Sequence, residues 1–380
     1  MKPYLLVEWN DNVTDAVGWM CLYNTVNGYA DGGIRMHTGV SKEEVQRLAT
    51  VMAWKHEACK PRSSGGCKAG IRYDYKAPDA EEVLERFIVA MMPYIDAGVA
   101  LAGDLGVPFS TTRKIYAKYG REIPLTKTMK KNNQILENMR AYNVMLDQEI
   151  QGFSLNNCIT GFGVAWALDE AWKSKQGNKK GRVFIQGFGC VGASAAQKLV
   201  ELGYTIVGVS DALGVVECQD GLDVAELIAN KNTFGEMDRS KFKDTYTVKP
   251  NSEWLDVDCD ILIPAALEDV INKDNATKVK ASLVVEGANI ATTKEADEIF
   301  AEKGIDVVVD FVANLGAVRA YHSVIFGNLE RDCQVVLDDI EKVCRGNPRK
   351  LFDYAEKENM FQREAAYKIF EPTACDPLEI

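Results

Sequence analysis

The apolar and polar positions divide the chain into two kinds of territory. Residues 3–36 mix short apolar runs with turn residues, which is the pattern of strands. Ser41-Lys42-Glu43-Glu44 is a capping box that opens a helix, and Val45, Leu48 and Met52 give that helix one apolar face. Pro61 stops it, and Ser63-Ser64-Gly65-Gly66 reads as a turn. Pro78 takes a first-turn position ahead of Val83, Phe87 and Met91, which repeat at helical spacing. From Pro108 to Asn157 the chain is polar and helix-rich, with weak periodicity. Near Thr160 the character changes. Residues 160–176 predict an amphipathic helix. Strands follow at 182–186, 204–210, 260–264, 283–286 and 306–310, with helical segments between most of them.

Alternating strands and helices of this length imply a parallel sheet covered on both faces. The expected architecture is therefore α/β with two domains. A substrate-binding and oligomerisation domain spans residues 1–150, and a Rossmann-type, doubly wound dinucleotide domain spans 151–329. The sheet is complete by about residue 312, so the charged helical tail, 330–380, is expected to pack back on the first domain.

Composition excludes more than it selects. A chain of 380 residues can bury two cores, and 47% hydrophobic with 26% charged residues is ordinary for a soluble protein. The net charge of -11 and a pI near 5.0 argue against nucleic acid as a partner. No apolar run approaches the roughly 18–20 residues that cross a bilayer, so no membrane is expected. The opening MKPYLLVEWND lacks a basic head followed by a long apolar stretch, so no signal peptide is expected. Ten cysteines without a C-x-x-C pair suit the reduced thiols of a cytoplasmic protein. Three histidines are too few for a histidine metal cage, and no metal is expected.

Two stretches carry chemistry. Val183-Phe184-Ile185-Gln186 leads into Gly187-Phe188-Gly189-Cys190-Val191-Gly192, a G-x-G-x-x-G motif between a strand and a helix. Glycines there let the backbone approach a pyrophosphate, and the helix start offers unpaired N–H groups at Cys190 and Val191. Asp211 ends the next strand, where a carboxylate accepts from a ribose hydroxyl and repels a 2′-phosphate, favouring NAD over NADP. The second stretch holds two lysines. Lys55 lies late on the capped helix, and Lys68 lies among small residues in Gly65-Gly66-Cys67-Lys68-Ala69-Gly70. A partly buried lysine has a lowered pKa and acts as a base near neutral pH. Asp104 sits in another small-residue turn, Gly103-Asp104-Leu105-Gly106.

Read together, these motifs resemble one family. Gly32-Gly33-Ile34-Arg35-Met36, Met52-Ala53-Trp54-Lys55, Gly65-Gly66-Cys67-Lys68 and Gly103-Asp104-Leu105-Gly106 occur in its order. So do Thr160-Gly161-Phe162-Gly163, Gly187–Gly192, Asp260–Leu267, Val284–Asn289 and Ala313-Asn314. From about residue 6 to 325 the chain is similar to the glutamate/leucine/phenylalanine/valine dehydrogenases. The resemblance implies an oxidoreductase interconverting an L-amino acid with its 2-oxo acid and ammonia, in a cleft between domains, as a homo-oligomer. It implies that Lys55 holds the substrate α-carboxylate, with Gly33 beside it. It implies that Lys68 activates the water that attacks the imine carbon, and that Asp104 exchanges a proton with the amino nitrogen. It places Thr160, Asn289 and Asn314 near the nicotinamide, and Ala265 and Ala266 against the cofactor.

The departures bear on the substrate. Glutamate-specific members place a lysine where this chain has Asp31, and a glutamine where it has Met52. Both changes argue against glutamate, provided that Asp31 faces the pocket rather than solvent or an arginine. Val318 and Tyr321 fall where the family shapes its side-chain pocket. The turn before Lys68 is one residue longer than usual, and residues 128–157 lack the usual turn-rich entry to the second domain. A neutral amino acid is the leading expectation and a cationic or polar one the second. The alternatives are an amine, imine or 2-hydroxy acid substrate on the same scaffold, or a silent NAD-binding regulatory protein.

Overall fold

The chain of the computed structural model divides into two units. One comprises Met1–Ala141, Ile325–Asn328 and Phe370–Ile380; the other comprises Tyr142–Val324 and Leu329–Ile369. The structure describes residues 2–61, 64–121, 132–232, 235–372 and 376. Residues 62–63 of the expected turn and 122–131 of the polar stretch lie outside them.

The first unit is built on a five-stranded sheet. Its strands are β1 (Leu5–Asn10), β2 (Val17–Leu22), β3 (Ala30–His37), β4 (Gly65–Arg72) and β5 (Val99–Gly103), in the order β1-β2-β4-β3-β5. β3 runs parallel to β4 and β5, whereas β2 is antiparallel to β1 and β4. Strand side chains alternate between faces, so each face has its own partner. Met20, Leu22, Ile34, Met36, Cys67 and Ile71 pack with Val83, Phe87 and Met91 of helix α2 (Ala80–Ala97). On the opposite face Trp19, Cys21 and Tyr23 pack with Val45, Ala49 and Ala53 of helix α1 (Lys42–Ala58). The capping box forms as expected: Glu44 N donates to Ser41 Oγ at 3.1 Å and Ser41 N to Glu44 Oε2 at 3.4 Å. Gly65 and Gly66 belong to β4 rather than to a turn. A Cβ on Gly66 would lie 2.3 Å from Ala53 N, so glycine there lets α1 rest directly on the sheet.

The second unit carries a two-stranded ribbon, β6 (Glu149–Ile150) and β7 (Phe153–Ser154), and a seven-stranded sheet. Its parallel strands are β8 (Arg182–Gln186), β9 (Thr205–Asp211), β12 (Ile261–Pro264), β13 (Leu283–Val285) and β14 (Asp306–Val308). Two short antiparallel strands that the pattern did not reveal, β10 (Gly214–Glu217) and β11 (Thr247–Lys249), extend one edge. The order β11-β10-β9-β8-β12-β13-β14 reverses direction at β8, and the topological switch point of such a sheet is where ligands bind.

Two expectations are corrected here. The helix read as amphipathic over 160–176 runs from Leu155 to Gln176, and Gly161 through Asp169 are buried without a break. A helix hydrophobic on all sides is an interior helix. Helix Cys190–Glu201 crosses it so closely that a Cβ on Gly161 would meet Ser194 Oγ at 2.1 Å, and Gly163 faces Cys344 of helix Cys333–Glu358. The tail, expected to pack back on the first domain, instead belongs to the second unit over Leu329–Ile369. Arg345 Nη1 reaches the buried Asp169 Oδ2 at 2.7 Å and Arg349 Nε reaches the half-buried Glu170 at 2.9 Å, so carboxylates on the interior helix hold it. Only from Phe370 does the chain rejoin the first unit, where Asn27 N donates to the Asp376 carboxylate at 2.6 Å. Among the described residues no helix is long and apolar enough to cross a membrane.

Candidate active site

In the first unit the α1-facing side of the sheet gathers the candidate residues. Alternation puts Asp31, Gly33 and Arg35 of β3 on this side with Gly66, Lys68 and Gly70 of β4. The Lys68 side chain is 4% exposed, and its Nζ lies 2.6 Å from Asp104 Oδ2. Arg35 Nε donates to the same oxygen at 3.2 Å, and Arg35 Nη1 reaches Glu44 Oε1 at 2.6 Å. Gly33 forms the floor of this group: a Cβ there would lie 2.8 Å from Asp104 Cβ and 3.4 Å from Lys68 Nζ. Burial holds Lys68 below the ordinary lysine pKa; the Asp104 carboxylate opposes this and Arg35 reinforces it. Burial would raise Asp104, but the Lys68 ammonium and the Arg35 guanidinium outweigh it and hold the carboxyl well below the usual range. Lys55, in the last turn of α1, is buried. Asp31 neither turns fully to solvent nor stands alone. Its side chain is 15% exposed, and Oδ1 lies 3.2 Å from Nε2 of the buried His56.

In the second unit the carboxyl ends of the parallel strands form a different kind of site. Gly187 follows β8 with φ +97°, a left-handed conformation that excludes a side chain. A Cβ on Gly192 would strike the Gly187 carbonyl oxygen at 1.9 Å, whereas a Cβ on Gly189 would meet nothing within 4 Å. The first and third glycines thus shape the turn, and the second leaves open space. Gly189 caps helix Cys190–Glu201 without a side-chain bond, so the N–H groups of Cys190 and Val191 face that space without a capping partner. Ala265 and Ala266 follow β12 and abut Gly187; Ala265 N donates to Gln186 O at 2.7 Å. Gly316 leaves no room for a side chain against Ile159 O and Thr160 Cα, which puts Thr160 beside the Asn314 loop. Asn314 Nδ2 donates to Gly287 O at 3.1 Å and to Asn289 Oδ1 at 3.2 Å.

These residues fit a dinucleotide. Among the described residues, Asn314 Oδ1 and Gln186 Oε1 are buried acceptors without a hydrogen-bond partner in the protein. Buried acceptors are rarely left so, and a ligand hydroxyl or amide would satisfy them. Val318 and Tyr321 lie on a short helix, Gly316–Tyr321, which runs on into a π-helical turn, His322–Phe326. The Tyr321 ring meets Tyr142 edge-on at 6.1 Å.

Asp211 differs from its expected state. It ends β9, but its carboxylate is not open to a ribose. Oδ1 accepts from Leu213 N at 2.8 Å and Arg239 Nη2 at 2.5 Å; Oδ2 accepts from Met237 N at 2.7 Å and from Arg239 Nη1. The ground for preferring NAD over NADP, a bare carboxylate, is therefore absent.

Sequence reasoning also missed Arg35, Glu44 and His56 as members of the first group. Arg35 had a readable signal, two residues beyond Gly33 and so on the same strand face. Glu44 gave only its capping signal. Glu286, Asp310 and Arg363 were missed as well. Asp310 accepts from Ile290 N at 2.7 Å, Glu286 accepts from Asp310 N at 2.9 Å, and Arg363 Nη2 donates to Glu286 at 2.8 Å, which together fix the loop bearing Asn289.

Comparison with known proteins gives a consistent result. The profile of the glutamate/leucine/phenylalanine/valine dehydrogenases matches residues 152–371, and that of their N-terminal dimerisation domain matches residues 5–121. A glutamate dehydrogenase of Thermotoga maritima is 35% identical over 380 residues, covering 96% of this chain and 88% of that protein. An NADP-specific glutamate dehydrogenase of Saccharolobus shibatae is 36% identical, covering 80% and 69%. An NAD-specific one of Staphylococcus aureus is 34% identical, covering 79% and 70%. The fold is shared with a hetero-hexameric glutamate dehydrogenase of Thermus thermophilus, with a TM-score of 0.77 at 23% identity over 99% of this chain and 91% of that one.

Proposed function

The chain belongs to the glutamate/leucine/phenylalanine/valine dehydrogenase family and is an amino acid dehydrogenase; we propose that it interconverts a non-acidic L-amino acid with its 2-oxo acid and ammonia. The observation that carries the chemistry is the buried Lys68, 2.6 Å from Asp104 over the bare Gly33. A lysine with a lowered pKa releases its proton readily, so Lys68 Nζ takes a proton from the water that attacks the imine carbon. Asp104, ionised beside it, exchanges a proton with the substrate nitrogen. Lys55 holds the α-carboxylate by a charge-assisted contact. NAD or NADP, when bound, supplies the hydride acceptor. The second unit would hold it through Gly187, Gly189, Gly192 and the N–H groups of Cys190 and Val191. Ala265, Ala266, Thr160, Asn289 and Asn314 would complete its surroundings. The N-terminal match to a dimerisation domain supports a homo-oligomer, whose mass by light scattering would exceed the 42.1 kDa of one chain.

The reading against glutamate rests on Asp31. Its carboxylate lies on the same sheet face as Lys68, two residues from Gly33 along β3. Two like charges about 4 Å apart repel by about 4 kcal/mol at an effective dielectric of about 20, which would disfavour an acidic side chain there. The same carboxylate favours a cationic or hydrogen-bond-donating side chain as the second reading. The test is reduction of NAD and NADP, followed at 340 nm, across all common L-amino acids. A response to non-acidic substrates is expected, with Asp31→Lys gaining activity toward glutamate. A wild-type enzyme that prefers glutamate would overturn the substrate reading, and silence across the panel would overturn the reaction.

A further inference from the structure

We propose that Arg239 sets the coenzyme selectivity of this dehydrogenase, by saturating Asp211 so that NADP is taken as readily as NAD; this rests on the reading of the second unit as a dinucleotide site. Asp211 closes β9 next to the glycine turn, since Gly187 N donates to Ser210 O at 3.0 Å. A residue there borders the adenosine ribose in folds of this type. An ionised carboxylate has about four acceptor positions. On Asp211 four N–H groups use them: Leu213 N and Arg239 Nη2 on one oxygen, Met237 N and Arg239 Nη1 on the other. A ribose hydroxyl would arrive as a fifth donor.

Arg239 is itself fixed in place. Its Nη1 donates to Met237 O at 2.7 Å and its Nη2 to Gly214 O at 3.3 Å, and Phe242 lies 5.7 Å from its guanidinium carbon. The Asp211 side chain is 3% exposed, whereas that of Arg239 is 21% exposed. The charge presented to an incoming nucleotide is thus the cation rather than the carboxylate. A guanidinium is a planar partner for phosphate oxygens, and an arginine at this edge accommodates a 2′-phosphate. Pairing with Asp211 leaves the local charge near zero, so the same edge does not demand the phosphate either.

The test measures competition of adenosine 2′,5′-bisphosphate and adenosine 5′-monophosphate with NADH and NADPH, by quenching of dinucleotide fluorescence. The wild type should bind the two adenosine nucleotides within about tenfold of each other, a difference of about 1.4 kcal/mol or less. Arg239→Gln leaves Asp211 charged with two backbone donors; it should weaken the bisphosphate by at least about tenfold more than the monophosphate. Arg239→Lys keeps the cation and should preserve the wild-type ratio, which also serves if the glutamine variant fails to fold. A wild type that favours the monophosphate more than tenfold would overturn the proposal. So would an Arg239→Gln variant that weakens both nucleotides alike, or a lysine variant that loses the ratio. Failure of NADH and NADPH themselves to bind would instead overturn the dinucleotide reading on which the proposal stands.

Discussion

In the first unit the important groups are charged side chains: Lys68 and Arg35 lie 2.6 and 3.2 Å from one Asp104 oxygen, beneath a helix. In the second unit they are glycines and backbone N–H groups at the end of a strand. The first arrangement works through charge in a place where water is scarce, so Asp104 and Arg35 shift the pKa of Lys68, and Lys68 and Arg35 that of Asp104. The second works through shape and backbone dipoles, which no substitution of a neighbouring side chain removes. Chemistry and cofactor binding should therefore fail separately when each region is altered.

The largest effect tests the first region. Lys68→Ala should lose at least about a hundredfold in turnover, given acid–base contributions of roughly 10²–10⁴, while NADH binding stays near wild type. In the wild type the rising limb of the pH–rate profile should lie below the ordinary lysine value, near ~10.4, because burial lowers Lys68. The variant should lose that limb. Retained turnover in Lys68→Ala would remove Lys68 as the base.

Gly192→Ala tests the second region. A Cβ 1.9 Å from the Gly187 carbonyl forces the turn to move. The dissociation constant for NADH should rise by at least about tenfold, equivalent to about 1.4 kcal/mol. A variant that binds NADH as the wild type does would show that the turn is not part of the cofactor site. Together the two variants make a cross: one loses rate and keeps binding, the other loses binding.

The two regions also differ in how far the sequence announced them. The glycine turn was legible because strand, turn and helix are adjacent in the chain, and each glycine answers a local steric demand. Ser41 and Glu44 were legible for the same reason. Lys68 and Asp104 stood out by their small neighbours, but their pairing joins positions 36 residues apart in sequence. What stayed hidden was long-range. Arg239 reaches back to Asp211 across the short edge strand β10 and the helix Val224–Ala229, neither of which carries a strong pattern. The docking of Cys333–Glu358 on an interior helix depends on Asp169, which accepts from Lys173, Lys180, Tyr204 and Arg345. Nothing within the tail names that partner. Reading residues 160–176 as one-faced failed because glycines at 161 and 163 made room for helices on both sides.

The smallest expected effect concerns charge in the second unit that lies outside the chemistry. Asp297 is buried beside Arg363 and close to Glu286 and Asp310. Burial pushes its carboxyl up to about 6, Arg363 opposes this, and the two neighbouring carboxylates add to the rise. A carboxyl with a raised folded value binds more protons folded than unfolded. Its stabilising contribution is complete below the unfolded value near ~3.9 and is lost as pH rises through about 6. Each unit of difference corresponds to about 1.4 kcal/mol, so the slope of stability over this window should be measurable. Asp297→Asn should flatten the melting temperature between about pH 4 and 6.5 relative to the wild type. Turnover at pH 8 should change by no more than about twofold, because acid–base loss of the Lys68 kind is far larger. A melting profile that stays as steep in the variant would remove Asp297 as the source of the pH dependence. A collapse of turnover would mean that buried charge in the second unit acts on the chemistry.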